Sequence, residues 1–230
     1  MLSNIKISIL TPTIYIINLS IKKHLLGQNT YWVIILNVYG LYKDSEDAAF
    51  QVLLKSEIDS LPVSLKKVAA TYDFTVIPSN IVAEQFYPKG HAKVLLINHH
   101  WYIICDEKAD PSQRRIAIAH EMGHILFGHN VFDNTFDMND SEQETEADQF
   151  LLDLLAPTIV WKLGLGYKSE SEIAAICNIP EESAKVQLIR SSGHYESIKT
   201  SYCPVVVAKA YKNFRPWIDS IVNPLPQEQS

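Results

Sequence analysis

Cysteine is scarce. Only Cys105, Cys177 and Cys203 occur in 230 residues, and no two of them make a C-x-x-C pair. An odd, scattered set argues against a disulfide framework and fits reduced thiols in a cytoplasmic compartment. The three are read as buried structural residues rather than metal ligands. Also missing is a clean apolar run of the ~20 residues a membrane helix needs. Ile5 to Ile21 is interrupted by Pro12, Asn18 and several hydroxyl residues, and Tyr31 to Tyr39 is too short. Neither carries the basic start and small-residue cleavage site of a signal peptide. Excess positive charge is absent too. A net charge of −6 argues against nucleic-acid binding through the whole surface. What is present, 47% hydrophobic and 20% charged residues, fits a soluble globular protein with one sizeable core or a domain with an appendage.

Methionine is sparse as well: after Met1 the next is Met122. The apolar texture of residues 1–40 gives way to helix-forming sequence from Ser45. Residues 1–40 are therefore expected to be a separate apolar segment, its β-branched content suiting strands. A second reading of the methionine gap is a native start further downstream, near Val38 or Leu41, at a codon other than Met.

The chemistry concentrates in Ile116 to His129, IAIAHEMGHILFGH, which contains His120-Glu121-Met122-Gly123-His124, an H-E-x-x-H pattern. On an α-helix, residues four apart lie one turn apart on one face. Two imidazoles so placed can grip one Zn²⁺. Glu121, one step round, can reach the attacking water without binding the metal. The flanks predict a helix. Asp110 is placed to N-cap, Pro111 suits the first position, Gln113 completes a capping box, and Gly128 is a C′ stop. Ile116, Ala119, Met122 and Leu126 form the apolar face. Gly123 inside the helix costs roughly 1 kcal/mol against alanine, and room beside the metal is one reason to accept it.

Upstream, Ser45 to Ile58 and Ser64 to Tyr72 read as helices separated by a break at Leu61-Pro62. Asp73 to Ile77, Ala92 to Ile97 and Trp101 to Cys105 read as strands of a small antiparallel sheet, with a turn at Asn98-His99-His100. Downstream, His129 to Gln143 has loop composition. Ser141 to Leu155 reads as a helix with Ala147, Phe150, Leu151, Leu154 and Leu155 on its apolar face.

A catalytic zinc site needs a third protein ligand and one open position. The second helix offers Glu142, Glu144, Glu146 and Asp148. Glu144, 20 residues beyond His124, is the preferred third ligand. Asp148, at i+4 on the same face, can accept the second N–H of a ligating imidazole. Glu146 points roughly 200° away from Glu144; it and Glu142 are read as a solvated face.

The order AHEMGHILFGH, an acidic loop, then ETEADQFLLDLLAP resembles the ImmA/IrrE family of zinc metallopeptidases. The resemblance rests on Glu144, Ala147, Asp148, Phe150 and Leu154-Leu155-Ala156-Pro157. Upstream it is supported by VLLIN (Val94 to Asn98) and the Arg114-Arg115 pair. It spans roughly residues 45–165. Leu151 departs from it, standing where the family usually has alanine. The resemblance implies a cytoplasmic gluzincin-type peptidase, with His120, His124 and Glu144 as ligands and Glu121 as base. It also implies a protein substrate, a helix-turn-helix repressor encoded nearby whose cleavage releases a mobile-element or stress regulon. The metal it implies is Zn²⁺, with Mn²⁺ the alternative if availability overrides affinity.

The fold class expected is α+β and zincin-like, a small antiparallel sheet packed on the H-E-x-x-H helix and a second ligand-bearing helix. The peptidase domain is expected over 41–165, a helical extension over 166–222, and a flexible tail over 223–230. In the extension, Ser169 to Cys177 and Glu181 to Arg190 resemble a helix-turn-helix. Ile173, Ala174, Ile176, Val186, Leu188 and Ile189 are expected to bury between the two helices. Glu181 and Glu182 offset Lys185 and Arg190, so packing or partner docking is preferred to DNA binding. Phe214 and Trp217 of a last helix are expected to seal it. Membrane association is not favoured. The competing reading is a DNA- or protein-binding regulator with a structural or vestigial zinc site; a third is a zinc hydrolase of a non-peptide amide. Besides the metal, His129, His194, Tyr195 and Tyr202 are candidates to stabilise an oxyanion. His99 and His100 are read as turn residues.

Overall fold

The computed structural model describes residues 6–9, 15–18, 45–129, 140–167, 169–193 and 204–224. Strands β1 (Lys6–Ile9) and β2 (Tyr15–Asn18) pair antiparallel, Lys6 opposite Asn18. Then follow helices α1 (Ser45–Lys55) and α2 (Leu65–Thr71), and strands β3 (Phe74–Pro78), β4 (Ala92–Ile97) and β5 (His100–Cys105). Five helices complete the chain: α3 (Pro111–Phe127), α4 (Asp140–Leu155), α5 (Glu170–Cys177), α6 (Glu181–Gly193) and α7 (Pro204–Val222). A π-helical turn, Ile159–Gly164, links α4 to α5. The class is α+β, as expected.

The sheet is mixed rather than wholly antiparallel. Its order is β3-β5-β4, with β5 central. β4 and β5 form a hairpin whose turn residues Asn98 and His99 both have positive φ (50° and 63°). That conformation matches the twist of a two-residue hairpin loop. His100 belongs to β5 rather than to the turn. The chain from Pro78 to Ala92 carries β4 past β5, so β3 lies on β5's other side and runs parallel to it, Phe74 opposite Trp101. Ile103 and Ile104 of β5 are buried. α3 packs against β4 and β5.

α3 begins and ends where local chemistry dictates. The Asp110 carboxylate accepts from the Ser112 N–H (2.8 Å), and Pro111 opens the helix. Gly128 takes the left-handed conformation (φ 74°), and its N–H reaches the carbonyls of His124 and Ile125. Ala119, Met122 and Leu126 are buried and Ile116 packs against the core. Arg114 donates to the Glu107 carbonyl (3.2 Å) and Arg115 to the Val63 carbonyl. The basic pair thus ties the start of α3 to its surroundings.

α3 and α4 cross closely. A Cβ on Gly123 would meet Cδ1 of Phe150 at 3.1 Å and Cα of Ala147 at 3.2 Å. The room that this glycine provides is therefore room for α4, not for a metal. α4 buries Ala147, Phe150, Leu151, Leu154 and Leu155, and packs against α1, which buries Phe50, Val52 and Leu53. Burying such side chains stabilises by about 1.5–3 kcal/mol each before entropy is counted.

Beyond α4, Trp161 is fully buried and donates its indole N–H to the Ala156 carbonyl (3.0 Å). α5 opens on a capping box between Ser169 and Glu172 and closes on Asn178 in the left-handed conformation. α6 buries a different face from the one expected. Ala184, Gln187 and Ser191 are inside, whereas Val186 and Ile189 are exposed. The reason is polar. The Gln187 amide donates to Asp153 Oδ1 (3.1 Å) and to the Ala156 carbonyl (3.0 Å), and Arg190 makes a two-pronged contact with Asp153 (3.3 and 3.1 Å). α6 is oriented by this network onto the end of α4. Phe214 and Ile218 of α7 are buried, Ile218 seated over Gly164, with Trp217 packed against the core. Among the described residues, no helix is long and apolar enough to cross a membrane.

Candidate metal centre

α3 and α4 bring His120, His124 and Glu144 together. Each offers one ligand atom, and the three atoms lie within 4.8 Å of one another. The Nε2 atoms of His120 and His124 face each other at 2.8 Å. Glu144 Oε2 is 3.1 Å from His120 Nε2, and Oε1 is 3.4 Å from His124 Nε2. All three groups aim at one point. Two imidazole nitrogens and one carboxylate make a donor set that suits Zn²⁺ and leaves a coordination position open. The histidine side chains are nearly buried, while that of Glu144 is 57% exposed. The cradle therefore has a walled floor and an open mouth.

Asp148 stands behind the first imidazole. His120 donates Nδ1–H to Asp148 Oδ1 (2.9 Å), which leaves Nε2 pointing at the cradle. The i, i+4 spacing of Glu144 and Asp148 puts both carboxylates on the α4 face toward His120.

His124 is supported from another side. Past Gly128 the chain turns back, placing His129 under His124 with a ring Nδ1 to Nδ1 distance of 3.1 Å. The other nitrogen of His129 lies 3.0 Å from Glu146 Oε2. The His129 side chain is wholly buried, and its ring stacks on Phe127. With both nitrogens engaged away from the mouth, it is not placed to stabilise an oxyanion. Glu146 is not a solvated residue either: its side chain is 20% exposed and packs against His129. The two-residue offset from Glu144, which turns Glu146 away from the cradle, is what aims it at His129. His194, Tyr195 and Tyr202 lie outside the described residues. His100 bridges Thr75 (2.7 Å) and Asp73 (3.4 Å) within the sheet.

Electrostatics separate the two histidines. Burial pushes the His124 pKa down to about 3, helped by repulsion from His120 and His129. This ring is neutral and ready to donate a lone pair. Burial also acts to lower His120. The Asp148 hydrogen bond, with the charges of Asp148, Glu144 and Glu121, outweighs it and raises the pKa. Glu121 points to the β4 side of α3, where its carboxyl is raised by burial and by Glu144, against the pull of His120 and the Val94 N–H. A carboxylate of raised basicity beside the open mouth is suited to take a proton.

The predicted thiols stay out of the site: Cys105 and Cys177 are buried and unpaired. Burial raises the Cys177 pKa to about 12, so it is inert at neutral pH. Cys203 lies outside the described residues.

Residues 78–188 match the family model for the IrrE N-terminal-like domain, a peptidase family. They take in β4 and β5 but only the last residue of β3, together with α3, α4, α5 and most of α6. No curated protein matches the chain.

Proposed function

We propose, from the match of residues 78–188 to the IrrE N-terminal-like peptidase domain, that the chain is a zinc-dependent endopeptidase. The observation that carries the reading is the convergence of His120, His124 and Glu144 beside a carboxyl of raised pKa, Glu121. The proposed ligands are the first three, with Asp148 orienting His120 and Glu121 as base. A bound Zn²⁺ supplies Lewis-acid polarisation of the scissile carbonyl and brings the pKa of water toward about 7. Glu121 removes a proton from the attacking water and returns it to the leaving amine. The neutral state of His124 keeps one ligand free of proton competition.

The substrate is proposed to be an extended segment of a protein. Among the described residues β4 pairs only with β5, so its other edge is open. Val94, whose N–H lies beside Glu121, is in that strand. A peptide added as a further strand would run past the base and the cradle. Apolar Leu96 and Ile97 are exposed farther along β4. The finer proposal is that the substrate is a helix-turn-helix repressor encoded beside this protein's gene, and that the reaction takes place in the cytoplasm.

The alternative of a DNA-binding regulator is less well supported. Arg190, one of two cations on α6, is paired with buried Asp153. A structural metal site would have no use for a half-buried base beside it.

The test is incubation of the zinc-loaded chain with the neighbouring repressor, followed by intact-mass analysis. A single cut that disappears with chelator is expected. An uncut repressor alongside a retarded DNA band in a gel shift would overturn the peptidase reading in favour of the regulator.

A further inference from the structure

His124 has two ring nitrogens, and the proposed metal uses only Nε2. What holds Nδ1 decides whether Nε2 keeps its lone pair. Here Nδ1 meets Nδ1 of His129 at 3.1 Å, and Nε2 of His129 meets Glu146 Oε2 at 3.0 Å. A carboxylate can only accept, so His129 must carry its proton on Nε2. A neutral His129 then presents a lone pair at Nδ1, and that lone pair requires the proton of His124 on Nδ1. Nε2 of His124 is left bare and aimed at the cradle. One carboxylate therefore sets the tautomers of two rings in series.

The geometry supports this as a built device. The His129 side chain is wholly buried, held by the residue's backbone N–H to the His124 carbonyl (2.9 Å) and stacked on Phe127. Gly128, in the left-handed conformation, provides the reversal that brings it under His124. Glu146 reaches it from α4, the helix that also carries Glu144 and Asp148. The two histidine ligands are thus oriented differently: His120 directly by Asp148, and His124 through an intervening imidazole.

We propose that His129 and Glu146 are positioning residues that fix the metal-binding tautomer of His124 through a Glu146–His129–His124 hydrogen-bond chain. The proposal rests on the metal site put forward above, and it assigns to Glu146 and His129 a role in metal retention. Neither residue touches substrate or metal. Losing such an outer partner typically weakens metal binding about 10–100-fold.

The test measures zinc affinity of the full chain by competition with a chromogenic chelator, and histidine tautomers by ¹⁵N NMR of the zinc-loaded protein. Wild type is expected to show His129 protonated on Nε2 alone. Glu146→Ala is expected to weaken zinc about 10–100-fold and to leave His129 in mixed tautomers. Glu146→Gln, which keeps an acceptor oxygen, is expected to recover most of the affinity. His129→Ala is expected to lose affinity and regain part of it when imidazole is added. If wild type binds zinc, yet Glu146→Ala matches it in affinity and in the His129 tautomer, the proposal is wrong. Protonation of His129 on Nδ1 in the wild type would also overturn it. A wild type that binds no zinc would instead bring down the underlying metal-site reading.

Discussion

Gly123 of α3 lies against Ala147 of α4 so closely that an added Cβ would sit 3.2 Å from the Ala147 Cα and 3.4 Å from its Cβ. Two small residues set the distance between the helix that carries His120 and His124 and the helix that carries Glu144. The metal cradle depends on this spacing. Gly123→Val is therefore expected to push α4 outward by pressing on Phe150 and Ala147. Stability should fall by about 1–3 kcal/mol, as in other overpacked cores, and zinc affinity should fall with it. Urea unfolding of the metal-free protein and chelator competition measure the two losses separately. Unchanged zinc affinity in a destabilised variant would show that the spacing does not matter to the site.

Zinc binding should depend on pH through one histidine more than the other. His120 has a raised pKa, so it holds a proton up to a higher pH than an ordinary histidine and must release it to bind. His124, at about 3, offers no such competition near neutrality. Affinity should drop as pH falls through the His120 titration, by about tenfold per pH unit below it. Asp148→Asn removes the main group raising that pKa, so the drop should begin at lower pH, while affinity at high pH should be weaker. Competition titrations from about pH 5 to about pH 8 check both signs. A drop that begins at the same pH in both proteins would contradict the role given to Asp148.

The α6 helix should be bound to α4 by charge. Asp153 is buried, and Arg190 contacts it with both terminal nitrogens. Arg190→Ala leaves the carboxylate without its cation. With Arg190 itself part-exposed, the expected cost is roughly 2–3 kcal/mol. Because the pair sits at the far end of α4 from Glu144, zinc affinity should stay near wild type. Chemical denaturation with and without zinc measures this. A loss of zinc binding as large as the loss of stability would mean that the two ends of α4 are coupled.

Much of the site was legible in the sequence because its determinants are local. Asp110, Pro111 and Gly128 mark the ends of α3, and helical spacing places His120 over His124 and Glu144 over Asp148. The rest depended on tertiary packing. A strand's alternation does not say which neighbour it pairs with, so the parallel pairing of β3 with β5 was out of reach. Val186 and Ile189 look like core residues by hydropathy, yet α6 turns Gln187 and Ser191 inward because Asp153 and the Ala156 carbonyl need partners. Glu146 looked like surface charge because its partner, His129, comes from beyond a glycine reversal on another helix. The reason for Gly123 was likewise visible only once α4 was in place.

The most direct test of the account is the Glu121→Gln variant beside wild type, with bound zinc and peptide-bond cleavage measured on the same samples. Glu121 is not one of the three proposed ligands, so both proteins should bind one equivalent of zinc with similar affinity. Cleavage of the protein substrate by wild type should be abolished by chelator. In the variant it should be at least about 10²-fold slower. A variant that binds zinc and cleaves as fast as wild type would contradict the assignment of Glu121 as the base and, with it, the proposed mechanism.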